Sequence, residues 1–361
     1  MNRQIKNGRT RRRARRDGIL VIAVLGIAVL VLLGLTVSVL LVRRSAWQTA
    51  EETGTGGVTT AVQSLQETTG SDPVTEAVSL PETVGQETSG TVPVRYTFPS
   101  DMYSRYAILI DAESGEVYAE KNADTRTFPA SVTKIMTVIV ALENISDPDA
   151  ETVISKDLLD RLAERNAAVA GFRAGERVSA RDMVYAALLP SGADGSVGLA
   201  ELVSGSEEAF AVLMNQKAQE LGMTQTHFVN ATGLHEEEHY STCRDLALLL
   251  RYALQNPDFK TAFTTKTYQT EGGISMESTT FRGMRSAGLT SDYILGGKTG
   301  YTPEAGVCLA SLARIEEREY ILITLGAGDG SKYPQYNVMD AVRIWDDFAF
   351  CLTAGERRQA A

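Results

Sequence analysis

The sequence has few residues that could bind a metal ion or form disulfide bridges. Of its 361 residues, three are cysteine and three are histidine. The cysteines (Cys243, Cys308 and Cys351) are far apart in sequence, and no C-x-x-C pair or Cys/His cluster has the spacing of a zinc site. This scarcity argues against a disulfide-built fold. It favours buried thiols that act as small hydrophobic side chains, with a single bridge as the alternative.

Positive charge is also scarce outside the N-terminus. The chain has 35 Lys and Arg against 45 Asp and Glu, a net charge of −10. Eight of the basic residues lie within residues 1–17, which contain one acidic residue. The rest of the chain is therefore strongly acidic, which argues against binding to polyanions such as nucleic acids. A small anionic substrate is still compatible with it, because such a substrate needs only a local cation.

Residues 18–42 lack charge altogether and are mostly apolar. Their 25 residues exceed the roughly 20 that a helix needs to cross the hydrocarbon core of a membrane. The run is also longer than the apolar core of a cleaved signal peptide, the alternative interpretation. We therefore predict a transmembrane helix over 18–42 in the cell membrane. The basic segment 1–17 is then a cytoplasmic tail and the remainder is extracytoplasmic.

Residues 48–94 contain no Lys, Arg, His, Cys or aromatic residue and are rich in Thr, Gly and Glu. Such a composition cannot bury enough apolar surface to offset the loss of chain entropy on folding. It predicts a disordered linker over 43–95. A globular domain then follows over 96–355, with a short tail at 356–361.

The globular part has the pattern of an α+β fold. Two strands open the domain, helical patterns fill its middle, and three strands and a helix close it. Short connections between the last strands imply antiparallel pairing. The pattern predicts one antiparallel sheet built from both ends of the domain, plus a helical subdomain. The predicted strands are 106–111, 117–120, 293–299, 306–313 and 320–325, and the predicted closing helix is 338–352.

The segment Ser131-Val132-Thr133-Lys134 opens a nearly all-apolar helix predicted over 131–143. Positions i and i+3 share a helix face, so the hydroxyl and the amine lie together. A serine hydroxyl needs a base to become a nucleophile, and burial lowers the pKa of a lysine towards that of a base. A capping serine with a surface lysine is the alternative, and the apolar helix argues against it.

Two further motifs could belong to the same site. Lys298-Thr299-Gly300 follows Gly296-Gly297 at the end of a predicted strand, where a cation beside a hydroxyl suits a carboxylate. Ser191 lies on a predicted loop, 189–194, just after a helix. Taken alone, K-T-G could also be a tight turn with a solvent-facing lysine, and the Ser191 loop is better explained as a turn that ends a helix.

Together, the three motifs are specific. S-x-x-K, the serine loop and K-T-G follow one another at distances of 60 and 107 residues. This order resembles the penicillin-recognising serine enzymes, whose signature is S-x-x-K, S-x-N and K-T-G. Segments 129–137, 188–195, 227–242 and 296–312 are most similar to low-molecular-mass D-alanyl-D-alanine carboxypeptidases. The resemblance implies a β-lactamase/transpeptidase-like fold over about residues 100–352.

The resemblance also implies a role for each motif residue. Ser131 would be the acylated nucleophile, Lys134 its base and Ser191 a proton relay to the leaving amine. The backbone N–H groups of Ser131 and Tyr301 would form an oxyanion hole. Lys298 and Thr299 would hold the terminal carboxylate of the substrate. The substrate-binding residues would then be Lys298, Thr299, Gly300 and Tyr301.

The implied partner is a peptidoglycan stem peptide ending in D-Ala-D-Ala, from which the terminal D-alanine would be released through an acyl-enzyme. β-Lactam antibiotics would acylate Ser131, and neither a cofactor nor a metal is implied. One position departs from the family, because Ala193 stands where its motif has asparagine. The change removes an orienting hydrogen bond, at a cost of about 1–3 kcal/mol if its partners stay buried.

Three other functions stay open. The first two are a DD-endopeptidase and a β-lactamase of the same superfamily. The third is a wall-binding homologue whose catalysis is impaired by Ala193. No E-x-x-L-N motif lies between Ser191 and Lys298, which disfavours a class A β-lactamase.

One motif points to different chemistry. His235-Glu236-Glu237-Glu238-His239 matches the H-E-x-x-H signature of zinc proteases, which works only on a helix with both histidines on one face. Thr232-Gly233-Leu234 precedes it and no apolar periodicity surrounds it. We therefore predict a loop without metal.

Overall fold

The described part of the chain contains nine strands in antiparallel pairings. They are β1 (Tyr106–Asp111), β2 (Val117–Lys121), β3 (Glu151–Val153), β4 (Arg177–Ser179), β5 (Thr267–Gln269), β6 (Ser275–Glu277), β7 (Ile294–Thr302), β8 (Gly306–Ile315) and β9 (Arg318–Ala327). Five form one sheet in the order β2-β1-β9-β8-β7, while β3 pairs with β4 and β5 with β6. The predicted antiparallel sheet, assembled from both ends of the domain, is thereby confirmed.

The computed structural model describes residues 96–328 and 335–359. The predicted basic tail (1–17), membrane helix (18–42) and linker (43–95) lie outside the described residues. Within the described ranges, no helix is both long enough and apolar enough to cross a membrane.

Nine α-helices accompany the strands in the described ranges. They are α1 (Lys134–Asn144), α2 (Lys156–Glu164), α3 (Ala180–Leu188), α4 (Ala193–Ser204), α5 (Glu207–Glu220), α6 (Cys243–Ala253), α7 (Pro257–Thr264), α8 (Thr279–Ser286) and α9 (Tyr336–Gln359). A 3₁₀ turn, Ala130–Thr133, leads directly into α1, whose first eight residues are all buried. An apolar helix without a polar face belongs in the interior, so α1 is central to the helical subdomain.

The central sheet is covered on both faces because its strands carry apolar side chains in both directions. In β1, Ile108 joins the core that contains α1, while Leu109 joins a second core on the other face. Trp345 and Phe348 of α9 belong to that second core. Nearly every residue of β8 is buried, as expected of a strand covered on both faces.

Hydroxyl side chains cap the starts of two helices. The Ser179 hydroxyl accepts the N–H of Asp182 at the start of α3. The Thr242 hydroxyl accepts the N–H of Asp245 at the start of α6. Each side chain satisfies a backbone donor that the first turn of a helix leaves free.

Several boundaries differ from the predictions. The predicted helix 131–143 begins as the 3₁₀ turn and becomes an α-helix only at Lys134, and β8 and β9 are each longer than predicted. β7 continues to Thr302, so K-T-G lies inside a strand instead of ending one, because pairing with β8 extends to the end of β7. The predicted loop 189–194 stops at Gly192, since Ala193 and Asp194 form the first turn of α4. The closing helix is longer than 338–352, and the residues predicted as a tail, 356–361, begin within α9.

Candidate active site

Ser131 and Lys134 lie side by side where the 3₁₀ turn meets α1. The Lys134 Nζ and Ser131 Oγ atoms are 2.9 Å apart. Ala130, just before the serine, has a φ of 47°, a left-handed conformation that residues with a side chain seldom adopt. Strain of this kind is frequent at functional sites, where surrounding structure enforces it.

Burial gives Lys134 the properties of a base. Its side chain is 2% exposed, and removal from water lowers its pKa from 10.5 to about 7. The negative charges of Asp194 and Glu207 oppose the shift without cancelling it. A substantial fraction of Lys134 is therefore neutral near pH 7. A neutral amine at this distance can accept the proton of the Ser131 hydroxyl.

A backbone carbonyl holds the lysine in place. Lys134 Nζ donates to the carbonyl oxygen of Thr232 at 2.6 Å. The loop that carries this carbonyl is fixed by Asn230, whose Oδ1 accepts the N–H groups of Thr232 and Gly233. Gly233 has a φ of 77°, and a Cβ there would lie 1.9 Å from the Ala130 carbonyl oxygen. The close approach of this loop to the nucleophile therefore requires glycine.

Ser191 and Lys298 form a second hydroxyl–amine pair. Lys298 Nζ donates to Ser191 Oγ at 2.7 Å and to the Thr299 carbonyl oxygen at 2.7 Å. Lys298 is 0% exposed, and burial, together with the positive charge of Lys134, holds its pKa well below the ordinary value. Ser191 has a φ of 67°, a second strained position in the site. The predicted residues Ser191 and Lys298 are thus brought together.

Strand β7 runs directly against the nucleophile. A Cβ at Gly300 would lie 2.9 Å from the backbone nitrogen of Ser131, and one at Gly296 would lie 2.3 Å from the Phe263 carbonyl oxygen. The absence of a side chain at Gly300 allows β7 to approach Ser131, and at Gly296 it allows β7 to approach Phe263. The Ser131 nitrogen therefore lies close to Gly300, the residue before Tyr301. The N–H groups of Ser131 and Tyr301 remain the predicted oxyanion-hole donors.

The position that departs from the family motif, Ala193, is buried beside the site. Its N–H donates to the Ala168 carbonyl oxygen at 2.7 Å. The neighbouring Asp194 does not take over the role of the missing amide. Its buried carboxylate accepts the N–H groups of Ala170 and Gly171 at 2.8 and 3.0 Å, and so ties the segment beside Ala168 to α4.

Thr279, at the start of α8, is a site residue that sequence reasoning missed. Its hydroxyl accepts the Thr299 hydroxyl at 2.6 Å, and its N–H donates to the Leu189 carbonyl oxygen at 3.0 Å. Thr279 therefore links K-T-G to the loop that carries Ser191. No catalytic signature marks this threonine in the sequence.

Residues 235–239 form a loop, as predicted, so the two histidines of H-E-x-x-H do not share a helix face. His239 is buried, accepts the Val229 N–H at Nδ1 and lies 2.8 Å from Thr133 Oγ1 at Nε2. Burial lowers its pKa to about 3, so it is neutral. In the described part of the chain, no group of three or more His, Cys, Asp or Glu could hold a metal ion.

A cavity of about 490 Å³ opens onto these groups. Six of the seven residues predicted for the site line it: Ser131, Lys134, Ser191, Thr299, Gly300 and Tyr301. Lys298 lies behind them and reaches the cavity through Ser191. The arrangement suits acyl transfer, because a nucleophile, a buried base and a hydroxyl relay face one space.

Comparison with known proteins is consistent with this geometry. A family model described as D-alanyl-D-alanine carboxypeptidase matches residues 93–329. The D-alanyl-D-alanine carboxypeptidase DacF of Bacillus subtilis is 36% identical over 232 residues, which cover 62% of this chain and 57% of DacF. The D-alanyl-D-alanine endopeptidase of Pseudomonas aeruginosa is 30% identical over 254 residues, covering 68% of this chain and 77% of that protein. The chain thus spans little more than half the length of DacF.

Solved structures match the same part of the chain. The DD-transpeptidase of Streptomyces K15 has a TM-score of 0.62 at 30% identity, covering 71% of this chain and 99% of that one. A D-alanyl-D-alanine carboxypeptidase from Mycobacterium tuberculosis has a TM-score of 0.59 at 26% identity, covering 72% and 93%. With its family match, its fold and the three motifs converging on one cavity, the chain belongs to the D-alanyl-D-alanine carboxypeptidase family.

Proposed function

We propose that this protein is a serine D-alanyl-D-alanine carboxypeptidase. It removes the terminal D-alanine from peptidoglycan stem peptides through an acyl-enzyme on Ser131, and β-lactams acylate the same residue. The observation that carries the proposal is the buried Lys134 amine, 2.9 Å from the Ser131 hydroxyl, with a pKa lowered to about 7. That pair supplies both the nucleophile and its base.

In the acylation step, neutral Lys134 accepts the Ser131 hydroxyl proton as Oγ attacks the carbonyl carbon of the penultimate D-alanine. The negative charge that develops on the carbonyl oxygen is stabilised by the backbone N–H groups of Ser131 and Tyr301. Ser191 donates its hydroxyl proton to the departing amine and takes up the proton held by Lys134, so Lys134 is neutral again. The C–N bond breaks, D-alanine leaves, and an ester joins Ser131 Oγ to the peptide.

Deacylation reverses these roles with water as the nucleophile. Lys134 takes a proton from the water, which attacks the ester carbonyl, and the proton returns to Ser131 Oγ as the C–O bond breaks. The products are the shortened peptide and the free enzyme.

The absence of an asparagine at Ala193 is compatible with turnover. Thr232 already provides an acceptor for Lys134 at 2.6 Å, so the lysine keeps a fixed direction without a side-chain amide. This contact favours an active enzyme over the impaired wall-binding alternative.

The second candidate is a DD-endopeptidase that cuts peptide cross-links. It is favoured by the Pseudomonas aeruginosa endopeptidase, which matches a larger share of both chains than DacF does. The chemistry at Ser131 is the same for both candidates, and only the leaving group differs.

The location of the protein is part of the proposal. The uncharged run 18–42 would anchor the chain in the cell membrane as a single span, with the basic residues 1–17 in the cytoplasm. The catalytic domain would then act outside the membrane, where peptidoglycan is, at the end of the linker 43–95.

The test uses the full chain in detergent. Separate samples are incubated with a fluorescent penicillin, with a peptide ending in D-Ala-D-Ala, and with a cross-linked muropeptide dimer. Labelling that Ser131→Ala abolishes, together with release of free D-alanine, supports the carboxypeptidase. Cleavage of the dimer alone supports the endopeptidase, and fast release of the bound penicillin supports a β-lactamase. Stable labelling without peptide cleavage supports the wall-binding homologue, and absence of labelling contradicts a serine acyl-enzyme.

A further inference from the structure

One acidic side chain behind the cavity takes no part in the steps above. Glu207 is the first residue of α5, is half-buried and does not line the cavity. Its Oε1 atom accepts the N–H of Ala231 at 2.9 Å. Ala231 directly precedes Thr232, whose carbonyl oxygen accepts Lys134 Nζ at 2.6 Å. The carboxylate is therefore joined to the catalytic base through one short stretch of backbone.

The backbone at Ala231 is held from two directions. Its carbonyl oxygen accepts the Thr137 hydroxyl of α1 at 2.7 Å, while its N–H is bound by Glu207 of α5. Ala231 is fully buried. A buried N–H that loses its acceptor is unfavourable, so the backbone shifts to find another partner. Loss of the Glu207 carboxylate would therefore displace the adjoining Thr232 carbonyl from Lys134.

Glu207 also acts on Lys134 through its charge. Its negative charge raises the pKa of Lys134 and so opposes the larger effect of burial. Burial raises the pKa of Glu207 itself, while the Ala231 N–H and the positive charges of two arginines lower it. The other charged or titratable groups around the two side chains are Asp194, Lys298 and His239 near Lys134, and Glu201, Glu208, Arg161 and Arg165 near Glu207. Asp194 and Glu207 are the carboxylates that stabilise charged Lys134, so removing either charge favours the neutral base.

We infer that Glu207 is a positioning residue for acylation, which fixes the Ala231 N–H, directs the Thr232 carbonyl at Lys134 and sets a negative charge behind the base. This inference rests on the proposed function, because it assigns Glu207 to the same serine–lysine pair. Lys134 Nζ donates to Ser131 Oγ and to the Thr232 carbonyl oxygen. With no amide at position 193, the orientation of the lysine depends on that carbonyl, and so on what holds it.

The experiment measures penicillin acylation between pH 5 and 10 in the full chain, for wild type, Glu207→Gln, Glu207→Ala and Glu208→Gln. Glu207→Gln keeps an acceptor for the Ala231 N–H but removes the charge, so its half-maximal rate should move to lower pH. At about pH 6 we expect it to react about two- to fivefold faster than wild type, with a plateau within about twofold. Glu207→Ala also removes the acceptor and should lower the plateau rate by about tenfold or more. Glu208 has the same charge at the same helix start but is exposed, so Glu208→Gln should match wild type.

The plateau rate separates positioning from a purely structural role, because Lys134 is neutral there in every variant. Thermal unfolding is recorded for each protein, so that rates refer to folded enzyme. A plateau loss in Glu207→Ala that Glu207→Gln restores supports the inference. A Glu207→Ala protein that unfolds at a lower temperature but acylates at the wild-type plateau rate overturns it. An unchanged pH midpoint in Glu207→Gln also overturns it.

Direct titration of Lys134 separates failure of this inference from failure of the proposed function. In protein made with carbon-13-labelled lysine, the Cε signal of Lys134 is identified by its absence in Lys134→Arg and followed by NMR across pH. This measurement needs neither substrate nor turnover. A lower titration midpoint in Glu207→Gln than in wild type supports the inference, even if the wild type reacts with no penicillin. Equal midpoints in the two proteins overturn it, whatever the enzyme cleaves.

Discussion

The two ends of the cavity use positive charge in opposite ways. At the Ser131 end, Lys134 and Lys298 are both buried, and burial lowers the pKa of each. At the α8 end, Arg282 lines the cavity and is exposed to solvent. A basic side chain is thus suited to proton transfer where water is excluded, whereas at the open end it stays in contact with solvent. The environment of a lysine therefore decides whether it can act as a base.

The largest expected effect comes from removing the base at the buried end. Lys134→Ala should lower the rate of acylation by a β-lactam by about 10⁴-fold or more, because Lys134 is the amine hydrogen-bonded to the Ser131 hydroxyl among the described residues. Lys134→Arg keeps the charge but cannot supply a base, and should be equally slow. Stopped-flow acylation measures both, and a loss below about tenfold would contradict the role of Lys134.

Removing Ser191, the proposed proton relay, should lower the rate less than removing Lys134 does. Ser191→Ala should lower kcat for the peptide by about 10²- to 10³-fold, since a positioned proton donor contributes on this order. It also leaves the buried Lys298 without one of its partners, so thermal unfolding is recorded in parallel. An unchanged kcat would mean that the proton reaches the leaving amine by another route.

Replacing Ala193 by the asparagine of the family motif should change the acylation rate by a smaller factor. Ala193→Asn should raise the acylation rate by less than about tenfold, because Thr232 already directs Lys134 and only part of a hydrogen bond is regained. Ala193→Leu, a change of similar size without an amide, should give no gain. If Asn raised the rate more than about 100-fold, Lys134 would be poorly oriented in the native enzyme.

The smallest expected effect is a shift in pH dependence. The Asp194 charge raises the pKa of Lys134 against the effect of burial. Asp194→Asn should therefore move the pH at which acylation is half-maximal to a lower value, while Arg282→Ala leaves it unchanged. Acylation rates across pH 5–9 measure the midpoint, and a shift to higher pH would contradict the electrostatic role of Asp194.

Much of the fold follows from the sequence, because long apolar runs mark β1, β8, β9 and α1. The parts that were missed have weak local signals. Strands β3 to β6 are three residues each, too short for a visible alternation. Helix α4 contains two glycines, which lower helix propensity, and it is stabilised by burial and by the Asp194 contacts.

The active site also contains residues that the sequence predicts and residues that it does not. Ser131, Lys134, Ser191 and K-T-G could be predicted because their side chains carry the chemistry and their order is specific. The contact of Lys134 with the Thr232 carbonyl could not be predicted, since every residue type has a backbone carbonyl. Nor could the role of Thr279, which depends on where α8 lies against β7, a tertiary contact that spacing alone does not reveal.

The central claim is that a neutral Lys134 activates Ser131, and the pH dependence of acylation tests it most directly. The rate of penicillin acylation of the full chain is measured between pH 5 and 10, with unfolding monitored at each pH. A base with a pKa of about 7 predicts a half-maximal rate near pH 7, a tenfold fall per unit below it and a plateau above. A rate that climbs until pH 10, as for an ordinary lysine, would contradict the account.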